Sequence, residues 1–182
     1  MEQVFRRIYE SREWGLGSGP GSLPGGLAGY HSFLQRVLRS RRPSRVVDLG
    51  CGYFAPHADM DWGDCAYIGI DVVEKCARQN LRYSTPKRAF LCCDWCAMAE
   101  LPQADLALCK DVLQHWIHHD VCRVLARLSK YPLVLITNSM ECGGRVVNAD
   151  IGTGGFRPLN VSLPPYSLRA TQTRTYRVAT NS

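Results

Sequence analysis

Short hydrophobic runs recur along the chain and alternate with stretches of helical periodicity. The runs cover residues 46–49, 66–70, 89–92, 106–109 and 133–137, and apolar residues have helical spacing over 30–39, 73–81 and 119–129, with a weaker repeat over 2–14. Continuous runs are typical of strands buried on both faces, and strands that alternate with helices indicate a parallel sheet covered on both sides. The pattern therefore predicts an α/β protein with a Rossmann-like, doubly wound, mostly parallel sheet.

Some connections depart from this alternation. Residues 53–65 contain Pro56, Asp59, Asp61 and Gly63, and residues 95–103 leave room for barely one helical turn, so the crossover helices are expected to be shortened. Beyond residue 137 no helix is expected, and two segments, 161–168 and 173–180, have the composition of terminal strands. Because Pro164 and Pro165 lack backbone donors, the first of these segments is predicted to be an edge strand or a bulge, within a C-terminal antiparallel edge.

The bulk composition is that of a globular protein. The chain has 182 residues, of which 46% are hydrophobic and 21% are charged, which fits a single domain. No apolar run approaches the roughly 20 residues that span a bilayer. The first 15 residues contain three glutamates and lack the apolar core of a secretory signal. We therefore expect a cytoplasmic protein without a membrane partner.

Charge and cysteine content narrow the classes of partner. The net charge of +6 comes largely from arginines before the first strand and in the tail. A solvated helix end and a soluble tail explain this charge better than a nucleic-acid contact, which usually needs a more basic face. The nine cysteines do not predict a disulfide framework in a chain without a secretory signal. Cys92, Cys93 and Cys96 lack a second pair of ligands nearby, so no metal site is expected.

Glycines and acids stand where the hydrophobic runs end. Gly50 and Gly52 follow the first run, and an acid lies at or just beyond the end of four runs, namely Asp48, Asp71, Asp94 and Asp111. Glycine lets the backbone approach a ligand closely, and an acid at the end of the second strand can accept hydrogen bonds from a ribose diol. A single acid is more often a turn or cap residue, but four in register favour a nucleoside site.

These segments resemble the motifs of class I S-adenosylmethionine-dependent methyltransferases. VVDLGCG is similar to the first motif of that family, YIGIDVV to its ribose-binding motif, FLCCDW to its adenine motif and ADLALCKDVLQHW to its fourth-strand motif. GSGPGS, DVLQH and GGFRPLN also resemble a group of small bacterial-type methyltransferases. The resemblance implies one methyltransferase domain over 1–182, with an N-terminal helix and Gly-rich lid or linker (1–29), a cofactor-binding core (30–138), and a substrate-side loop with terminal strands (139–182).

The resemblance also implies the cofactor S-adenosyl-L-methionine and the residues that would hold it. Asp48 would meet the methionine end, Asp71 the ribose and Asp94 the adenine, while Ser18 would belong to a lid over the cofactor. The Gly- and Pro-rich composition around Ser18 also fits a linker. The full set of implied cofactor residues is Ser18, Gly19, Asp48, Gly50, Cys51, Gly52, Asp71, Val72, Asp94, Trp95 and Lys110.

Candidate catalytic and substrate residues follow the fourth and fifth runs. His115 lies four positions after Asp111, so on a helix the two would share a face, with His115 as the base and Asp111 orienting it or acting as the base itself. A histidine packed at a helix terminus explains His115 equally well. Arg157 and Asn160 are predicted to contact a substrate, with Arg157 suited to a carboxylate or phosphate, although Arg157 is equally suited to fixing the tail.

The predicted function is a methyltransferase that acts on a hydroxyl or amine of a small molecule or sugar-like metabolite. The alternative is an inactive protein of this fold that serves as a binding or scaffold component of a larger assembly. The observation that favours this alternative is the glycine turn, in which Tyr53 and Phe54 stand in place of a further glycine. A nicotinamide-dependent reductase is disfavoured because it needs G-x-G-x-x-G at the start of a full helix.

Overall fold

The computed structural model describes residues 1–15, 17–140 and 146–176. At its centre lies a five-stranded sheet in which every neighbouring pair of strands is parallel. The strands are β1 (Arg45–Leu49), β2 (Ala66–Asp71), β3 (Arg88–Cys92), β4 (Leu106–Lys110) and β5 (Leu133–Thr137), in the order β3-β2-β1-β4-β5. The predicted strands are confirmed to within one residue at each end. The order reverses beside β1, which is where ligands bind in doubly wound sheets.

Helices cover both faces of this sheet. In the described part of the chain they are α1 (Glu2–Ser11), α2 (Pro24–Arg41), α3 (Glu74–Asn80) and α4 (His118–Leu128). Successive strand residues alternate between two hydrophobic cores, so Val46 packs with the residues of α2 and Val47 packs with those of α1 and α4. This alternation explains why the strands read as continuous apolar runs, because both of their faces are buried.

Helix α2 begins six residues before its predicted start at residue 30, so the expected boundary of the Gly-rich segment is wrong. Leu27 and Tyr30 are buried and continue the stripe formed by Leu34 and Leu38 at helical spacing. Burial of a leucine side chain contributes about 1.5–3 kcal/mol, which offsets the roughly 1 kcal/mol that each glycine costs in a helix interior.

The connection from β1 to β2 contains a single 3-10 turn (Ala55–His57) in place of a crossover helix, so the predicted shortening is confirmed. An aromatic cluster replaces the missing helix. Phe54 is fully buried, with its ring centroid 5.0 Å from that of Tyr67 and 6.0 Å from that of Trp62. Aromatic burial of this kind stabilises a loop that has few backbone hydrogen bonds of its own.

The predicted antiparallel edge is wrong for the described part of the tail, because residues 146–176 contain no strand. Residues 177–180, the end of the second predicted strand, lie outside the described residues. The side-chain amide of Asn148 donates to the carbonyls of Asn160 and Pro164, each at 2.8 Å. These backbone carbonyls of the tail are therefore hydrogen-bonded by a buried side chain and not by a neighbouring strand. Pro164 and Pro165 have no backbone N–H groups with which to pair with a strand.

Among the residues described, no helix combines the length and hydropathy that a membrane span requires. The same residues contain no group of three or more His, Cys, Asp or Glu side chains arranged around a possible metal ion. Cys92 is exposed, and Cys93 and Cys96 are only partly buried.

Candidate functional site

A cavity lies at the carboxyl ends of β1, β2 and β4, beneath α1 and the segment that joins α1 to α2. The empty space within it, counted together with the solvent at its mouth, is about 830 Å³. The residues predicted from the sequence that line it are Ser18, Asp48, Gly50, Cys51, Gly52, Asp71, Val72, Asp94, Trp95, Lys110, Asp111 and His115. The other predicted residues, Gly19, Arg157 and Asn160, do not line it.

The glycine turn after β1 is held in a left-handed conformation. Gly50 has a φ of +79° and Gly52 a φ of +53°. The backbone N–H groups of Gly50 and Cys51 donate to the carbonyl of Ile70 at 2.8 and 3.1 Å, which ties the turn to β2. A Cβ atom on Gly50 would lie 2.5 Å from Cγ2 of Val112. Both the backbone angle and the close approach therefore require glycine at position 50.

Asp71, at the end of β2, accepts hydrogen bonds from this turn and from the backbone that follows β2. Its Oδ2 accepts the N–H of Gly52 at 2.8 Å, and its Oδ1 accepts the N–H of Val73 at 2.8 Å. Burial raises the pKa of Asp71, while these backbone donors lower it. Each carboxylate oxygen keeps a second lone pair. The carboxylate is thus fixed in position and still able to accept hydrogen bonds from a ligand.

Asp48 is buried at the end of β1. The hydroxyl of Tyr67 donates to its Oδ2 at 2.8 Å. Burial raises the pKa of Asp48 to about 6, and the Tyr67 hydrogen bond and the nearby Lys110 ammonium oppose that rise. A carboxylate that has lost its water gains most from a cation placed beside it. This position therefore fits an ammonium group of a ligand.

Asn80, at the end of α3, is a residue of the site that no sequence motif marks. Its side chain is 1% exposed. Its Oδ1 accepts the N–H of Phe54 at 2.8 Å, and its amide nitrogen donates to the carbonyl of Gly52 at 2.8 Å. Asn80 therefore holds the glycine turn in the place where other α/β folds have the first turn of a crossover helix.

The adenine-binding pair of the predicted site lies beyond β3. Asp94 forms a turn in which its Oδ1 accepts the N–H of Cys96 at 3.0 Å. Trp95 is almost fully buried, and its ring centroid lies 5.1 Å from that of Trp116. Arg127 of α4 donates to the carbonyl of Trp95 at 2.9 Å. These contacts fix the wall of the cavity on the β3 side.

The GSGPGS segment (residues 17–22), which we call the lid, lies against the glycine turn. The hydroxyl of Tyr9 donates to Oγ of Ser18 at 2.7 Å, and the backbone N–H of Tyr53 donates to the same oxygen at 3.4 Å. A Cβ atom on Gly52 would clash with Oγ of Ser18. Gly19 has a φ of +93° and turns the segment without lining the cavity.

We expect Tyr9→Phe to weaken binding of a ligand in this cavity about three- to tenfold, because one neutral hydrogen bond contributes about 0.5–1.5 kcal/mol. The loss should come from faster dissociation, measured by stopped-flow fluorescence of Trp14, whose ring centroid lies 5.8 Å from that of Tyr9. Tyr131→Phe is the matched control, since its hydroxyl donates to the carbonyl of Pro102 at 2.8 Å and Tyr131 does not line the cavity. Equal dissociation rates in the two variants would contradict a lid role.

Lys110 and Asp111 form an ion pair at the floor of the cavity. Lys110 also donates to the carbonyl of Gly21 at 3.0 Å, which connects the floor to the lid. Asp111 has a φ of +56° and its Oδ1 accepts the hydroxyl of Thr137 at 3.3 Å. The expected helix face shared with His115 is wrong, because that region forms only a 3-10 turn (Leu113–His115).

His115 is buried, and both of its ring nitrogens are engaged. Its Nδ1 lies 2.8 Å from the carbonyl of Gly155, so Nδ1 carries the proton that is donated. Oε1 of Gln114 accepts the N–H of Ser139 at 2.6 Å, which leaves the amide nitrogen of Gln114 to donate to Nε2 of His115 at 3.3 Å. Burial lowers the pKa of His115. Trp14 covers its ring at a centroid distance of 4.4 Å.

The two predicted substrate residues lie in the packing of the tail. Arg157 is 4% exposed; its guanidinium donates to the carbonyl of Trp116 at 2.6 Å and to the hydroxyl of Tyr166 at 2.9 Å. Asn160 accepts the N–H of Ser162 at 3.0 Å with its side chain. The Arg157 guanidinium is therefore packed against a backbone carbonyl and a tyrosine hydroxyl, and its Nε–H has no hydrogen-bond partner among the described residues.

Further aromatic side chains and a second histidine line the cavity, and of these only Trp116 lies within a quoted motif, ADLALCKDVLQHW. The aromatic residues from α1 and its surroundings are Phe5, Tyr9, Trp14, Tyr53 and Trp116, and the histidine is His57. The indole N–H of Trp116 is buried and has no hydrogen-bond partner within the described residues. The apolar periodicity of residues 2–14 signalled a helix, but its position over the cavity depends on tertiary packing.

No family model and no curated protein matches this sequence. Solved structures do match its fold. Magnesium protoporphyrin IX methyltransferase (ChlM) from Synechocystis PCC 6803 with bound SAH is 16% identical, with a TM-score of 0.56, and the match covers 74% of this chain and 71% of that one. The N-methyltransferase NodS from Bradyrhizobium japonicum WM9 is 18% identical, with a TM-score of 0.51 and coverage of 62% and 67%.

CalO1, a methyltransferase in calicheamicin biosynthesis in its SAH-bound form, is 19% identical, with a TM-score of 0.51. That match covers 66% of this chain and 38% of CalO1. Other matched structures also extend further, and the chain spans 63% of two of them. At these identities the likeness establishes the fold, which is the Rossmann-like α/β fold of these methyltransferases.

Proposed function

We propose that this protein binds S-adenosyl-L-methionine in the cavity and transfers its methyl group to a hydroxyl or amine of a small molecule, such as a sugar-like metabolite. The observation that carries the proposal is the register of Asp48, Asp71 and Asp94, which line one cavity from the ends of successive strands. S-adenosyl-L-methionine carries an ammonium group, a ribose diol and an exocyclic amine, and each of these donates hydrogen bonds that a carboxylate accepts.

The charge of the cavity supports a cationic ligand. Four carboxylates line it, and Lys110 is the one lysine or arginine among the described lining residues. S-adenosyl-L-methionine has positive charge on both its ammonium and its sulfonium groups. The carboxylates are partly buried, so their attraction to a cation is screened less than it would be at an exposed surface. The SAH- and SAM-bound forms of ChlM add support from the fold.

The residues present fit the proposed cofactor. Asp48 would accept from the ammonium, Asp71 from the ribose hydroxyls and Asp94 from the adenine amine, while Gly50 and Gly52 let the backbone approach. When bound, S-adenosyl-L-methionine supplies an activated methyl group on a positively charged sulfur. The chain must then align an acceptor in line with that methyl group, exclude water and remove the acceptor's proton.

The polar groups at the floor are suited to orienting the acceptor. Asp111 is held by Lys110 and by the hydroxyl of Thr137. His115 is held by Gly155 and Gln114. We therefore propose that Asp111 and His115 position the acceptor. The lid and α1 contribute to the lining of the cavity together with four carboxylates, and this acidic lining supports a small-molecule acceptor over a nucleic acid.

Isothermal titration calorimetry with S-adenosyl-L-methionine and S-adenosyl-L-homocysteine tests the proposal. We expect submillimolar dissociation constants for both ligands. Absence of detectable heat at several temperatures, together with no ligand-induced rise in melting temperature of the folded protein, would contradict the proposal. That result would instead favour the alternative of a scaffold protein that has the fold without the cofactor.

Affinity for S-adenosyl-L-methionine should depend on pH through Asp48. The pKa of Asp48 is about 6 in the free protein, and an adjacent ammonium group favours the ionised form and lowers that pKa. Binding therefore releases protons near pH 6, and affinity rises as pH increases through this value and levels off above it. If the pKa of Asp48 in the complex returns to its ordinary range, the affinity for S-adenosyl-L-methionine should be about tenfold lower at pH 5 than at pH 8.

Two variants isolate the contribution of Asp48. Asp48→Asn should bind more weakly at pH 8 and lose most of the pH dependence. Tyr67→Phe removes the hydroxyl that stabilises the ionised carboxylate of Asp48. The midpoint of the pH dependence of affinity should therefore move to higher pH. Calorimetry in buffers with different ionisation enthalpies counts the protons released. A pH profile that is unchanged in Asp48→Asn would exclude this carboxylate as the partner of the ammonium group.

A further inference from the structure

Methyl transfer to a hydroxyl or amine leaves a proton that some group in the cavity has to accept. Both nitrogens of His115 are bonded within the protein, so neither is open to accept that proton. Asp111 is paired with Lys110 and would have to weaken this ion pair in order to accept the proton. His57 lines the same cavity and is not one of the residues that we propose to contact the cofactor or to position the acceptor.

His57 is buried, and one of its ring nitrogens is bonded to a second histidine. Nδ1 of His57 lies 2.8 Å from Nε2 of His31. Its other ring nitrogen, Nε2, forms no hydrogen bond within the described residues. The carbonyl of His57 accepts the indole N–H of Trp62 at 3.1 Å, and its ring packs near Phe54 at a centroid distance of 6.2 Å. The ring is therefore fixed from several sides, with Nε2 as its free end.

The charged and titratable groups that face the pair are Tyr30, beside His31 on α2, and Lys110 on β4. Burial and Lys110 lower the pKa of both histidines, so both rings are neutral and one nitrogen of the contact has to donate to the other. Two arrangements satisfy the contact, and only the one in which Nδ1 of His57 donates to Nε2 of His31 leaves Nε2 of His57 unprotonated.

We propose that His57 is the general base of the reaction and that His31 is a positioning residue that holds His57 in the Nδ1–H tautomer. This proposal rests on the proposed methyltransferase function. As the bond from the methyl carbon to the acceptor forms, the bond from methyl to sulfur breaks and its electron pair stays on sulfur. The acceptor's proton moves to Nε2 of His57, and it leaves to water when the product departs.

The strength of the base suits this step. Burial, His31 and Lys110 together lower the pKa of His57 to about 3, so the ring is unprotonated across the physiological range. An oxygen that has just gained a methyl group carries positive charge, and its remaining proton is strongly acidic, so this role of His57 applies to a hydroxyl acceptor. A weak base that is always in its free form is therefore sufficient.

Nitrogen NMR of the histidine side chains tests the tautomer in the whole chain without any ligand. We expect the Nδ1–H tautomer for His57 and a coupling across the hydrogen bond to Nε2 of His31. In His31→Ala the tautomers of His57 should become mixed, and in His31→Gln, whose side-chain oxygen can accept the same hydrogen bond, the Nδ1–H form should return. A proton on Nε2 of His57 at neutral pH in the unmodified protein would overturn the proposal.

An electrophilic cofactor analogue tests whether His57 faces the methyl position. The probe is 5′-bromoacetamido-5′-deoxyadenosine, which places its reactive carbon near the site of the methyl group. Peptide mass spectrometry should find the label on His57, with labelling at least fivefold slower in His31→Ala and restored in His31→Gln. His119→Gln, whose exposed side chain does not line the cavity, should leave the labelling of His57 at its normal rate.

The two proposals fail in different ways. If S-adenosyl-L-homocysteine neither binds nor protects against labelling, the proposed function is wrong. If it binds and protects, but the label is found on His115, on Asp111 or on no residue, the cofactor site stands and His57 is not the base. Melting temperatures of the His31 variants within a few degrees of the unmodified protein show that the changes in labelling do not come from unfolding.

Discussion

Asp71→Asn is expected to lower affinity for S-adenosyl-L-methionine by a factor on the order of 100 or more. The carboxylate accepts two backbone N–H groups and keeps lone pairs for a ribose diol. An amide has one oxygen, so its nitrogen must face either Gly52 or Val73, and donor then meets donor. Loss of one or two hydrogen bonds to a charged acceptor, at about 1.5–3 kcal/mol each, accounts for the expected factor.

Asp105→Asn is the matched control for this substitution. Asp105 also holds backbone donors, because its Oδ2 accepts the N–H groups of Ser44 at 2.7 Å and of Arg45 at 3.0 Å. It lies at the amino ends of β1 and β4, away from the cavity, and a single oxygen accepts both bonds. Calorimetry should therefore give unchanged affinity for Asp105→Asn. Equal losses of affinity in the two variants would mean that Asp71 acts through general stability.

Gly50→Ala is expected to destabilise the folded protein by about 3 kcal/mol and to abolish cofactor binding. A left-handed backbone costs a residue with a Cβ about 1–2 kcal/mol, and overpacking against Val112 adds about 1–3 kcal/mol. For a chain of this size the melting temperature should fall by roughly 10 °C. Thermal unfolding followed by circular dichroism measures the change.

Gly63→Ala separates the two causes. Gly63 also has a positive φ, +57°, but no atom lies within 4 Å of the position its Cβ would take. It should therefore show only the backbone cost, about 1 kcal/mol. Adding Val112→Ala to Gly50→Ala should relieve the clash and leave the strain. If Gly50→Ala and Gly63→Ala destabilise equally, the close approach of Val112 does not constrain the turn.

The strands could be predicted from the sequence because each one is buried on both faces. Residues 106–109 are apolar for this reason, and they form β4 almost to the residue. The start of α2 could not be predicted in the same way, because glycines at 25 and 26 signal a break locally. Only the contact of Leu27 and Tyr30 with the sheet overrides that signal, and such contacts are not visible in local periodicity.

The part of the candidate site that could be predicted from the sequence is the set of acidic residues at the carboxyl ends of the strands. Asp48, Asp71 and Asp94 reach one cavity because parallel strands bring their carboxyl ends to one edge. Asn80 and His57 could not be found in this way. Asn80 reaches the turn from the far end of α3, and His57 becomes a candidate base only through its contact with His31, 26 positions earlier. Both contacts depend on how the shortened crossover packs.

The position of the lid has a consequence for the kinetics of ligand entry. Tyr9 and Ser18 close over the turn that the cofactor must contact, and Lys110 ties the lid to the floor. A ligand cannot reach Gly52 until these bonds open. The observed rate of association should therefore stop rising at high ligand concentration and approach the opening rate of the lid, so that the protein itself, rather than diffusion, sets the pace of loading.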